Sequence, residues 1–221
     1  MKNYPLIFFI FFIFFIFNFV AATENNNPIF KELLSAIKNK KEYELVKEKK
    51  IGDLKKLLSG ELSLTQEYEI NSKIYKEYRK FKLDSAVYFI KKNHRTALIL
   101  KDNYLEDLAK LQLANLYSSS GRYRESEETL KAINRNKLAK NLYSDYYEVY
   151  SQFFEHYATN NFNPEYAKFI GIYRDSLLSV LDQNSIKFKI SRAQKDIAEN
   201  NSDKAQNNLS TLLKNLKSKD Q

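Results

Sequence analysis

From Pro28 onward the chain carries its apolar residues at helical spacing almost without interruption, and that periodicity confines it to packed helices. Ile29, Leu33, Leu34 and Ile37 form a first stripe; Tyr43, Val46, Ile51, Leu54, Leu57 and Leu58 form a second, which stops at Ser59-Gly60. Tyr68, Ile70, Ile74, Tyr75, Tyr78 and Phe81 make a third, and Asp84-Ser85 reads as the cap of a helix carrying Ala86, Phe89, Ile90 and Ala97. Further stripes follow from Tyr104 to Tyr117, from Ser126 to Ile133, and through the aromatic run Leu142 to Tyr157. Asn163-Pro164 opens another helix, and Ile186–Ala198 and Ser202–Leu216 make a last pair. With Gly 4 and Pro 3 there are too few turn formers for a many-stranded β protein, so the fold expected is all-α.

The helices come in pairs, the mark of a repeat array. The clearest unit runs from Asp107 to about Lys140, with Leu113-Ala114, Tyr117, Gly121, Tyr123, Ser126, Leu130 and Ile133 in order. Small side chains at Ala114 and Ser126 let two helices approach closely, Gly121 permits the turn, and the tyrosines fill the space beside it. This pattern resembles the tetratricopeptide repeat. Ala193, Asn200, Asp203, Ala205, Leu209 and Leu212 give a weaker copy with Asn200 in the glycine's place, and Tyr78, Phe81, Ala86 and Ile90 a third with a shortened turn. Three copies in one chain imply a short helical-hairpin solenoid.

Tyr78 to Ala86, Gly121 to Ser126, Tyr146-Tyr147 and Tyr173 to Leu178 occur in that order. Together they resemble the N-terminal sensor half of a bacterial domain-of-unknown-function family of membrane-anchored transcriptional regulators. The resemblance covers roughly residues 28–215. Such proteins carry tetratricopeptide-like helices outside the cytoplasm, cross the membrane again and end in a cytoplasmic DNA-binding region. The sequence reaches Gln221 without that second crossing or the C-terminal half. The resemblance therefore implies a recognition module and no nucleic-acid partner for this chain.

Ahead of the helices stands MKNYPLIFFIFFIFFIFNFVAA: a positive start, an unbroken apolar run from Leu6 to Phe17, and small residues at Ala21-Ala22. That is the layout of a signal peptide, expected to be cut after Ala22 and to send the chain to the periplasm. The alternative is an uncleaved anchor in the inner membrane, because the run approaches the roughly 20 residues of a spanning helix. The organisation expected is residues 1–22 as signal peptide or anchor, 23–27 as polar linker and 28–221 as the repeat domain.

Charge and chemistry narrow the function. The net charge of +9 falls to +8 without Lys2, but the lysines are interspersed with Glu, Asp and Asn and form no Arg-rich block. A solvated basic surface is expected rather than a nucleic-acid stripe. Cys 0 removes disulfides and thiol chemistry. His94 and His156 have no metal-ligand spacing, and the acid pairs Glu106-Asp107 and Glu127-Glu128 read as helix faces. No phosphate-cradling glycine loop or nucleophile elbow is present, so neither an enzyme nor a cofactor or metal is expected. What remains is a non-catalytic module for a protein or peptide partner, with a glycan as a further ligand class; the alternatives are a structural adaptor for envelope assembly or a truncated regulator without its output domain.

The tyrosines nominate a site. Tyr143, Tyr147, Tyr150, Phe154 and Tyr157 share one stripe, and Tyr146 leans off it. Packing between helices is one reading; the other is a groove in which Tyr143, Tyr146, Tyr147 and Tyr150 touch an extended peptide or sugar. A groove lined by Tyr, Asn and Lys would favour ligand recognition, and a broad exposed apolar face would favour assembly.

Overall fold

The computed structural model describes residues 28–161 and 163–217; the segment read as signal peptide and linker lies outside them. The described residues fall into two units, one ending at Lys50 and one beginning at Ile51. Helix α1 spans Pro28–Lys38, with Pro28 at its first position, where a missing N–H costs nothing. Its Ile29, Phe30, Leu33, Leu34 and Ile37 are all exposed. Helix α2, Lys40–Leu57, carries the chain into the second unit, where its Ile51 is buried.

From there the fold is four helical hairpins. They are α3 (Leu64–Tyr78) with α4 (Leu83–Leu100), α5 (Asn103–Ser119) with α6 (Tyr123–Lys131), α7 (Tyr143–Asn161) with α8 (Pro164–Val180), and α9 (Ile186–Ala198) with α10 (Ser202–Lys217). A 3-10 turn at Lys140–Leu142 leads into α7. From α3 onward each helix packs on the next in sequence, and α5 also packs on α7, so the first helices of the second and third hairpins lie side by side. Among the described residues there is no strand, in agreement with the all-α expectation.

Side-chain caps set many of the boundaries. Ser63 and Gln66 form a reciprocal capping box at α3. Asp102, Asn163 and Ser185 each accept from first-turn amides of α5, α8 and α9. The cap expected at Asp84-Ser85 is not there. Helix α4 already begins at Leu83, with Lys82 at the cap position and no side-chain bond. Leu83 packs against the neighbouring core and is drawn into the helix, leaving Asp84 in the first turn, where its charge suits the helix dipole.

The close approach inferred from small residues is realised in the second hairpin. Ala114 and Ser126 are fully buried, and the Ser126 hydroxyl donates to the Ala114 carbonyl at 2.8 Å. Ala86 beside Ile90, and Ala193 with Ala205, occupy matching buried positions in the first and last hairpins. The turns match as well: Gly121 has φ +76° and Asn200 φ 62°. Both are left-handed, the region glycine enters freely and asparagine tolerates. A Cβ at Gly121 would meet nothing within 4 Å, so the cost there is conformational alone. Gly121→Ala is expected to lower stability by ~1–2 kcal/mol in urea titration, with Asn200→Gly nearly neutral.

Two apolar clusters run through the second unit. Ile51, Ile74, Tyr78, Phe89 and Ile90 anchor the first, and Leu111, Leu130, Leu142, Phe153 and Phe154 the second. Buried polar groups include Asn71, whose side-chain amide has no hydrogen-bond partner among the described residues, and two charged groups that do face counter-charges. Arg174, 8% exposed in its side chain, reaches Glu155 at 3.3 Å. Asp196 is fully buried between Arg192 and Lys204, each 3.3 Å away.

Candidate functional site

The first helices of three hairpins, α3, α5 and α7, together line a groove of about 640 Å³. Helical spacing explains the lining. On α5 the residues Leu108, Gln112, Asn115 and Ser119 recur every three or four positions, and on α7 Asp145, Glu148 and Gln152 do the same. The end of α3 adds Tyr75 and Lys76, and the following turn adds Arg79 and Lys80. Apolar Leu108, Leu111, Leu116 and Val149 form patches between the polar side chains.

The chemistry changes across the groove. At the α3 side Lys76, Arg79 and Lys80 are exposed and form no ion pair among the described residues. Burial raises the Tyr75 phenol pKa, partly opposed by the Arg79 guanidinium beside it. In the middle the Asn115 amide donates to the Gln152 carbonyl oxygen, while the buried Gln112 Oε1 has no hydrogen-bond partner. At the α7 side Lys187 reaches over from α9 to Asp145 at 3.1 Å and Glu148 at 2.8 Å. Burial would lower the Lys187 pKa, but bonds to Glu148 and Asp145 outweigh it and hold the ammonium charged above its ordinary range. The groove is therefore positive at its α3 end, while the two acids at the α7 wall share a single lysine of the same chain.

A second, more open depression lies between α2 and α4, lined by Lys55, Leu58, Asp84, Ser85, Tyr88, Phe89 and Lys92. The Lys55 ammonium donates to the Tyr78 hydroxyl at 2.9 Å and sits 5.3 Å from that ring's centre. That side chain is thus committed to packing, and the depression offers fewer free polar groups than the groove.

The four nominated tyrosines meet at a different place. Tyr150 stacks on Tyr173 of α8 with centroids 4.6 Å apart and planes 6° from parallel. Tyr146 is buried in the same core and packs edge-on to Tyr147 at 5.6 Å. Tyr143 carries the Arg135 guanidinium 3.6 Å above its ring, and the same arginine donates to the Tyr147 hydroxyl at 2.6 Å. None of the four is among the residues lining the groove. Their rings fix α7 to α8 and to the segment before α7, with Phe154 at the centre against Tyr166, Phe169 and Tyr173. Desolvation by this packing raises the Tyr150 and Tyr173 phenol pKa values.

The histidines serve the framework. His156 Nδ1 shares a 2.7 Å hydrogen bond with the Ser118 hydroxyl, and its carbonyl accepts from Tyr123 at 3.2 Å. His94 lies 4.0 Å from Glu106, with its pKa lowered chiefly by burial. The acid pairs answer to neighbouring cations: Glu106 and Asp107 to Lys110, Glu127 to Lys131 and Glu128 to Arg124.

Sequence reasoning missed the groove residues because they are polar positions on helices whose apolar side drew attention. The signal that could have found them was the stripe Gln112, Asn115, Ser119 on a helix otherwise apolar on two faces.

Residues 37–221 match the family model described as the SusR N-terminal TPR domain, so α1 falls almost wholly before the matched stretch. No curated protein and no solved structure matches the chain.

Proposed function

We propose, from the premise that the chain belongs to the SusR N-terminal TPR domain family, that it is an extracytoplasmic recognition module whose α3–α5–α7 groove receives a segment of a protein partner. Tetratricopeptide hairpins are interaction scaffolds and typically not catalytic. Residues 1–22 deliver the domain across the cytoplasmic membrane as a signal peptide or hold it there as an anchor. No helix among the described residues is long and apolar enough to cross a membrane. In this reading the domain stands as the sensor half of a membrane-anchored regulator, and the tyrosines on α7 keep the groove wall rigid rather than touching the ligand.

The observation that carries the reading is the groove itself, in which the side-chain amides of Gln112, Asn115 and Gln152 lie between a basic end at α3 and apolar patches of Leu108, Leu111 and Val149. Site-specific photo-crosslinking in the producing cell tests it. A benzophenone side chain at Ser119, in the groove, is expected to trap a discrete protein adduct in the envelope fraction, and one at Lys168 on α8 is not. Equal labelling from both positions, or an adduct confined to the cytoplasmic fraction, would overturn the assignment.

A further inference from the structure

We infer that the groove selects an extended peptide segment bearing acidic side chains, and that it holds this segment in one direction, acidic end over α3. The inference rests on the groove reading above and adds the chemistry and orientation of the occupant. Its basis is the unequal state of the two walls. Lys76, Arg79 and Lys80 cluster at the end of α3 without carboxylate partners among the described residues. Across the groove Asp145 and Glu148 are both engaged by Lys187. A ligand cation at the α7 wall must therefore compete with a lysine already in place. A ligand anion at the α3 wall displaces nothing but water and counterions. Acidic side chains thus gain at one end, while basic ones gain little at the other.

The middle of the groove sets the backbone requirement. Gln112, Asn115 and Gln152 line it with amide side chains, and the Asn115–Gln152 bond is one that a main chain can extend or replace. An extended peptide supplies an N–H and a carbonyl at every residue, whatever its sequence. Affinity for the main chain over α5 and preference for acids over α3 are thus separable. The charges decide which segments bind and which way round, and the amides decide that a peptide binds at all.

Fluorescence anisotropy of labelled ten-residue peptides tests this on the purified chain. Three peptides are compared: four glutamates followed by alternating glycine and serine, the same with four lysines, and the glycine-serine peptide alone. The glutamate peptide is expected to bind about tenfold tighter than the neutral one, and to weaken as salt rises. The triple variant Lys76→Gln, Arg79→Gln, Lys80→Gln should erase that advantage, whereas Lys137→Gln with Lys140→Gln, outside the groove, should not. All the substituted residues are exposed, so an unchanged melting temperature confirms that the fold is intact. Orientation is read with a spin label at Ser119, which should broaden opposite ends of the glutamate peptide and its reversed sequence. Equal affinity for glutamate and neutral peptides, with competition between them and loss on Gln112→Leu, would overturn the acidic preference and leave the groove reading standing. Failure of all three peptides and of an oligogalacturonate to bind would overturn both. Binding of an oligogalacturonate lost in the triple variant, with no peptide binding, would overturn the peptide class.

Discussion

Phe154→Ala is expected to cost ~4 kcal/mol of stability, the largest loss from any single side chain considered. The ring lies at the centre of the α7–α8 contact, 4.9 Å from Phe169, 5.2 Å from Tyr166, 5.5 Å from Tyr173 and 6.2 Å from Tyr150. Truncation removes its transfer energy and leaves a void that the neighbouring rings cannot close without disturbing the Tyr150–Tyr173 stack. The measurement is the urea midpoint at unchanged slope, since a changed slope would mean that the variant's denatured or native state had altered. Tyr150→Phe is the comparison. It keeps the 4.6 Å stack on Tyr173 and should fall within ~1 kcal/mol of the parent. If both substitutions cost the same, the aromatic cluster does not hold the hairpin together in the manner described. The groove should respond too, because Gln152 and Phe154 stand on the same helix and α8 supports it from behind.

The double substitution Arg192→Ala with Lys204→Ala is expected to cost ~3 kcal/mol. Asp196 has no exposed surface, and its charge is met by these two side chains from α9 and α10. Removing both leaves a buried carboxylate without a counter-charge, which is far more expensive than losing two surface ion pairs. The control is the triple variant that also carries Asp196→Leu, in which nothing charged is left buried. It should recover much of the loss, and thermal unfolding of the three proteins separates the cases. A double variant as stable as the parent would show that Asp196 finds enough solvent without its partners.

Much of the fold was legible because helix formation and hairpin pairing are written in local patterns. Asn163-Pro164 and Ile186–Ala198 appear where periodicity and capping chemistry put them. Asn200 stands in the left-handed turn that glycine fills at Gly121, as its position in the weaker repeat implied. The Asp84-Ser85 cap failed because a local signal competed with a distant one: Leu83 gains burial against the first core cluster, and capping residues cannot report that. The site was less legible for a similar reason. The tyrosine ladder is conspicuous in sequence because aromatic residues are large, and large residues are what a helix interface consumes. Groove residues are ordinary amides and lysines, and only the arrangement of α3, α5 and α7 brings them to one surface. Side-by-side placement of helices some forty residues apart in sequence is a tertiary fact that no single window contains.

The arrangement of α3, α5 and α7 would also set how long a segment the proposed groove could take. Packed helix axes stand about 8–10 Å apart, the spacing expected of α5 and α7, and α3 lies beyond α5, so a path from α3 to α7 would run roughly 20 Å or more. An extended chain advances about 3.3 Å per residue, which makes the footprint about six residues. So short a word carries limited information and limited contact area, and a single array would hold its partner with modest affinity and rapid exchange. One more hairpin would lengthen the word by about three residues, without altering any letter already read.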